Sequence, residues 1–195
     1  MNKLNTKELN DVFTDVRKAY RLLYHYQRRV MDLAKFIGDK LEYKYVGGWS
    51  YYCKPSPNNG KGRLENWSWD WLNMYYYEFH FGFKESVGFS IFLQSDTGFF
   101  DSKTDNKLDV EEYKDVEESK TRLIFVCGKQ GNWNPPLIMK NENISSNQEI
   151  FEGTNDEGSF MIGKTYDLSL FIDEESTIKQ IEDFKEFCKK RKIEL

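Results

Sequence analysis

The sequence predicts an α+β fold in which a long N-terminal helix and a C-terminal helix pack on one face of a mostly antiparallel sheet of about six or seven strands. Three observations predict this class. Apolar residues recur at helical spacing through the first forty residues, alternate with polar residues over positions 75–93, and return to helical spacing after Asp173. No linker or internal repeat divides the 195 residues, so we expect one domain over residues 1–195.

The N-terminal helix has the clearest sequence signals. Asn5 and Glu8 have the spacing of a capping box, and Gly38 is the predicted stop. A helix of about 32 residues would be roughly 48 Å long. Its apolar face follows 4-3 spacing at Leu9, Phe13, Val16, Tyr20, Leu23, Val30, Ala34 and Ile37, with Gln27 in the series. Further apolar residues widen this face, so we expect the helix to lie across a sheet or among helices of its own domain. The spacing also leaves a homodimer through this helix open.

The opposite face of this helix is basic. No acidic residue lies in segment 17–29. An acidic protein surface or a phosphate backbone would suit such a face, which makes it the candidate partner- or anion-binding site. The alternative is a solvated helix face whose charges pair with the acidic segment 96–119. The candidate residues are Lys18, Arg21, His25, Arg28 and Arg29.

The middle of the chain predicts strands rich in aromatic residues. Segments 43–46 and 49–53 predict two strands around a bulge at Gly47 and Gly48, and segment 55–62 predicts a loop. Alternation begins at Trp67 and becomes regular over 75–84 and 87–93, which predicts a hairpin. One face of its first strand is aromatic and the other carries Glu78 and His80, so we expect the second face to meet solvent.

The remaining elements are shorter. We expect a surface loop and a short helix in segment 96–119, a strand over 121–127, a short strand over 137–139 and a strand pair formed by 159–162 and 166–172. Asp173 or Thr177 then caps the C-terminal helix. The apolar stripe of that helix consists of Ile178, Ile181, Phe184 and Cys188.

Several chemical motifs are present but weak. Segment 158–165 matches the phosphate-loop pattern, yet strands are predicted where the loop and its helix should lie, so we reject nucleotide binding there. Asp70, Glu78 and His80 could hold a divalent metal for phosphodiester hydrolysis, and His80 could activate Cys127. Neither arrangement has support beyond residue type. The three cysteines lack zinc or redox-pair spacing, so we expect reduced thiols.

The lack of a coherent catalytic constellation, together with charge segregated into the basic helix face and the acidic segment 96–119, leaves an interaction protein as the leading hypothesis. The chain has a net charge of −4 and no apolar segment that would span a membrane, so we expect a cytoplasmic protein. Scarce Ala beside abundant Lys, Asn, Tyr and Phe indicates a bacterial or phage source. We expect a non-enzymatic protein-interaction module, such as an accessory, inhibitor or immunity-like protein, that binds another protein and carries no metal or cofactor. The alternative is a nucleic-acid-binding protein that uses the basic helix face and extends to metal-dependent phosphodiesterase activity.

Overall fold

The computed structural model describes residues 5–50, 74–99, 110–129, 149–154 and 160–195. It confirms the α+β class. The described elements, in chain order, are α1 (Thr6–Leu41), β1 (Tyr45–Ser50), β2 (Tyr76–Lys84), β3 (Val87–Gln94), β4 (Arg122–Lys129), β5 (Ile150–Thr154), β6 (Phe160–Asp167) and α2 (Glu174–Lys189). The predicted loop at 55–62 and the predicted strands at 67–71 and 137–139 lie outside the described residues.

The chain forms two compact units, Met1–Phe36 and Ile37–Leu195, and α1 runs from the first into the second. Gly38 was predicted to end α1 but lies inside it. Its missing side chain lets the helix approach the sheet, because a Cβ atom there would overlap the Phe81 ring. The helix ends one turn later in a Schellman motif, with Glu42 at φ 60° and the Tyr43 N–H donating to the Gly38 carbonyl at 2.9 Å.

The described strands form one antiparallel sheet in the order β1-β2-β3-β4-β6-β5. The β2–β3 hairpin is confirmed. The predicted strand pair at the C-terminal end is wrong: β6 is a single strand that pairs with β5. The strand stops at Asp167 because its carboxylate accepts the Ser169 N–H at 3.0 Å and begins a 3-10 turn over Leu168–Leu170. The tract around Gly47 and Gly48 also forms one irregular strand, β1, rather than two.

One face of the sheet packs against α2 and the last turn of α1. The Phe184 ring of α2 lies 6.1 Å from Phe89 and 5.4 Å from Phe125. Asp173, not Thr177, caps α2, in a capping box with Ser176. The predicted stripe of α2 needs two corrections, because Ile178 is 39% exposed whereas Phe187 is buried.

The other face of the sheet is buried as well, which contradicts the predicted solvent-facing surface of β2. Its apolar part is a cluster of buried side chains, and β3 is buried along its whole length. Glu78 and His80 lie on this face and are buried too. The cluster consists of Tyr76, Phe92, Ile124, Val126 and Phe151.

Two further predictions concern segment 96–119 and the membrane. The described parts of that segment contain 3-10 turns at Thr97–Phe99 and Val110–Glu112, where a short α-helix was predicted. Within the parts of the chain that the structure describes, neither helix has an apolar stretch that could cross a bilayer.

Candidate functional site

The N-terminal end of α1 is held by a reciprocal capping box, as predicted. The Asn5 carboxamide oxygen accepts the backbone N–H groups of Lys7 and Glu8, both at 3.0 Å. In return the Glu8 carboxylate accepts the Asn5 N–H at 2.8 Å. These three bonds satisfy donors that a helix start leaves without helical partners, so local chemistry supports the first turns of α1.

The apolar side of α1 is exposed over its first five turns. We call six of its residues the apolar stripe, and their side chains are between 40 and 72% exposed. Burial begins further along, where Val30 is 1% exposed and Ala34 and Ile37 are also buried. The same 4-3 spacing therefore includes exposed residues early in α1 and buried residues later in it. The apolar stripe consists of Leu9, Val12, Phe13, Val16, Tyr20 and Leu23.

The five predicted site residues, which we call the basic face, are all exposed on α1. Two ion pairs on this face join residues that are three or four positions apart. Lys18 Nζ lies 3.0 Å from Asp15, and Arg28 Nε lies 3.9 Å from Asp32. His25 makes an edge contact with the Tyr24 ring at 5.4 Å. Exposed pairs of this kind contribute about 0–1 kcal/mol, so a stronger anionic partner could replace them at Lys18 and Arg28.

The apolar stripe and the basic face meet along one edge. Residues four positions apart lie one turn apart on the same side of a helix, so Phe13, Arg17 and Arg21 form one continuous row. Tyr24 and Arg28 continue the same side of the helix with four-residue spacing. A ligand on the apolar stripe would therefore have guanidinium groups along one of its sides.

A second polar group lies in the buried face of the sheet. His80 on β2 is opposite Ser90 on β3, and its Nδ1 atom lies 2.7 Å from the Ser90 hydroxyl. Its Nε2 atom lies 2.6 Å from the Glu78 carboxylate. The three side chains form a hydrogen-bonded chain whose members are 0, 3 and 0% exposed for Glu78, His80 and Ser90.

The Glu78–His80–Ser90 chain has the residue types of an orienting carboxylate, a base and a nucleophile, in that order. It lacks the solvent accessibility that these roles require. A hydrolase must bring a substrate carbonyl to the serine oxygen, and Ser90 has no exposed surface. Both imidazole nitrogens contact side chains, so a metal ion would have to displace one of them. No group of three metal-ligating side chains occurs among the described residues, and Asp70 lies outside them. The geometry instead supports a polar link that joins β2 to β3.

The two described cysteines are free thiols, as predicted. Cys127 on β4 and Cys188 on α2 are both buried, and their sulfur atoms lie 3.4 Å apart although 61 residues separate them in sequence. The hydrogen bond to Cys188 and burial both raise the pKa of the Cys127 thiol well above its usual value. His80 cannot activate Cys127, because the strand register places the two on opposite faces of the sheet.

The described residues of the phosphate-loop pattern form part of a strand. Gly163, Lys164 and Thr165 lie within β6 and not in a loop that leads into a helix. Lys164 Nζ and the Tyr166 hydroxyl donate to Asp183 on α2 at 2.6 and 2.7 Å. Burial raises the pKa of Asp183, but these two hydrogen bonds outweigh it and the pKa is lowered overall. Burial and the Asp183 bond raise the pKa of Tyr166. These contacts attach α2 to the sheet.

A family model described as PM0109 matches residues 6–193, and the chain belongs to that family. The description names no activity. No curated protein and no solved structure matches the chain.

Proposed function

We propose that this member of the PM0109 family is a protein-interaction module that binds another protein on the apolar stripe of α1. The observation that carries the proposal is the exposure of that stripe. Six neighbouring apolar side chains on one side of α1, five of them in 4-3 spacing, are each at least 40% exposed. Contiguous exposed apolar surface of this kind is typical of protein-interaction sites. Helix faces with this spacing usually pack against another helix.

The energy of covering the stripe is substantial but not sufficient for tight binding. Burying one such side chain completely contributes about 1.5–3 kcal/mol, so covering six that are about half exposed contributes on the order of 5 kcal/mol. Association itself costs about 4–15 kcal/mol in lost freedom. A stable complex therefore needs further contacts beside the stripe, and the adjacent basic face supplies charged groups for them.

Site-specific photo-crosslinking in host extract tests the proposal. A photoreactive phenylalanine derivative at Phe13 should give one discrete protein adduct, identified by mass spectrometry, and Val16→Asp should abolish it. The matched control is the same derivative at Val116, which is 79% exposed but lies outside α1. Equal labelling from both positions, or an adduct that survives Val16→Asp, would contradict the proposal. Because Val16 is exposed, its substitution should leave the helix content unchanged by circular dichroism.

Nucleic-acid binding through the basic face is the second candidate, and the exposure of all five residues favours it. Affinity for duplex DNA should then fall steeply with salt and should drop in the variant Arg21→Glu/Arg28→Glu. Unchanged affinity in that variant would exclude this use of the face. The extension to phosphodiester hydrolysis gains no support, because Glu78 and His80 are buried and bonded to each other.

A further inference from the structure

We infer that the occupant of the apolar stripe is an acidic amphipathic helix of the partner protein, an inference that rests on the proposed function. Leu9 and Leu23 are the ends of the stripe, and the helix between them rises about 21 Å. A partner helix of about four turns would cover this length and place its own apolar residues against the stripe.

The charge of α1 indicates the sign of the partner. Segment 17–29 contains four exposed arginines and one exposed lysine, Lys18. It contains no carboxylate. Arg17 and Arg21 lie in a row that borders the apolar stripe. Carboxylates on one side of a docked helix would therefore lie within reach of two guanidinium groups. Paired Arg–carboxylate contacts have the fork geometry that makes them strong and directional.

A second copy of the chain fits this charge poorly. Side-by-side parallel pairing would align two segments 17–29 within about one Debye length, where like charges repel. Antiparallel pairing of the stripes, centred near Val16, would place segment 3–15 of one copy beside segment 17–29 of the other. The three carboxylates of segment 3–15 are offset by two lysines. Neither arrangement neutralises the segment, whereas an acidic helix does.

A nucleic acid fits the charge but not the stripe. A phosphate backbone would neutralise the arginines and leave Val16, Leu23 and the remaining stripe residues in water. An acidic amphipathic helix satisfies both features at once, since it supplies apolar side chains for the stripe and carboxylates for its basic edge.

Three synthetic peptides of equal length test the inference by fluorescence anisotropy against the full chain. The first has leucines at 4-3 spacing flanked by glutamates, the second has the same leucines flanked by lysines, and the third has the glutamates with alanines in place of leucines. The first peptide should bind at least tenfold more tightly than either of the others. Raising NaCl from about 50 to about 300 mM should weaken it severalfold.

Variants identify the residues responsible. Arg17→Glu/Arg21→Glu should weaken the glutamate–leucine peptide at least tenfold and strengthen the lysine–leucine peptide. The control Lys179→Glu/Lys189→Glu changes the net charge equally on α2, at exposed sites, and should alter affinity less than twofold. Val16→Asp should weaken both leucine peptides.

The outcomes separate the inference from the proposed function. If both leucine peptides bind equally and Val16→Asp removes both, the inference is overturned while the stripe remains a docking face. The inference also fails if the glutamate–leucine peptide does not bind, if duplex DNA or anionic lipid vesicles bind more tightly, or if sedimentation shows a dimer that Val16→Asp dissociates. The proposed function fails separately if crosslinking from Phe13 gives no discrete adduct.

Discussion

The substitution Ser90→Ala tests whether the buried Glu78–His80–Ser90 chain stabilises the sheet. Removing the hydroxyl leaves the His80 Nδ1 atom, now 2.7 Å from that oxygen, without this partner in a site where His80 is 3% exposed. Leaving a buried polar atom without its hydrogen bond costs about 1–3 kcal/mol. We therefore expect the free energy of unfolding to fall by about 1–3 kcal/mol, which raises the unfolded population by a factor of about 5 to about 160.

Urea denaturation followed by circular dichroism measures this change. The matched control is Ser86→Ala in the exposed hairpin turn, which we expect to change stability by less than about 0.5 kcal/mol. If Ser90→Ala has as small an effect as Ser86→Ala, the hydrogen-bonded chain contributes nothing to β2–β3 pairing and the reasoning is refuted. If both variants unfold at lower urea by the same large amount, the loss belongs to the hairpin as a whole and not to the Ser90 hydroxyl.

Three other predictions follow from contacts in the second unit. Gly38→Ala should lower the free energy of unfolding by up to about 2 kcal/mol, because overpacking against the Phe81 ring costs about 1–3 kcal/mol and exceeds the roughly 1 kcal/mol gained in helix propensity; a stabilised variant would contradict this. In a Cys53→Ser background, Cys127 and Cys188 should react with Ellman's reagent only as fast as the protein unfolds, and rapid labelling of the native protein would show that they are accessible. Because the folded pKa of Asp183 is lowered, its stabilising effect is present above its usual pKa of 3.8 and is lost as the pH falls through the folded pKa. The difference in unfolding free energy between wild type and Asp183→Asn should therefore shrink from about pH 6 to about pH 3, and a constant difference would refute the assignment.

Local signals in the sequence were sufficient for the start of α1 and for the hairpin. The capping box at Asn5 acts within three residues, so the amino-acid types alone predict it, and they leave Asp173 and Thr177 as the two candidates for the cap of α2. The β2–β3 hairpin was predicted from the alternation of its two strands, and the structure adds that Glu85 in its turn adopts φ 54°. Gly38 was wrongly predicted to end α1, because glycine is common where a helix ends. Only the neighbouring Phe81 ring shows that a glycine is needed here for the helix to approach the sheet closely.

The candidate site was predicted in part. The 4-3 spacing located the apolar side of α1 and the basic face, but it did not indicate that the first five turns are exposed whereas Val30 and Ala34 are buried. Periodicity shows which residues share a face of a helix; what covers that face depends on residues distant in sequence. For the same reason the contact between Cys127 and Cys188 has no signal in their spacing.

The sequence by itself determined the α+β class, the N-terminal cap of α1 and the residues that make up the basic face, because each depends on periodicity or on hydrogen bonds between near neighbours. Only the tertiary structure decided which residues meet across the sheet. Lys84 is opposite Val87, and a regular hairpin would continue that register to place His80 opposite Ile91. A register shift between Phe81 and Phe83 places it opposite Ser90 instead. A shift of one residue moves side chains to the other face of a sheet, so this irregularity, which depends on packing, created the buried polar chain.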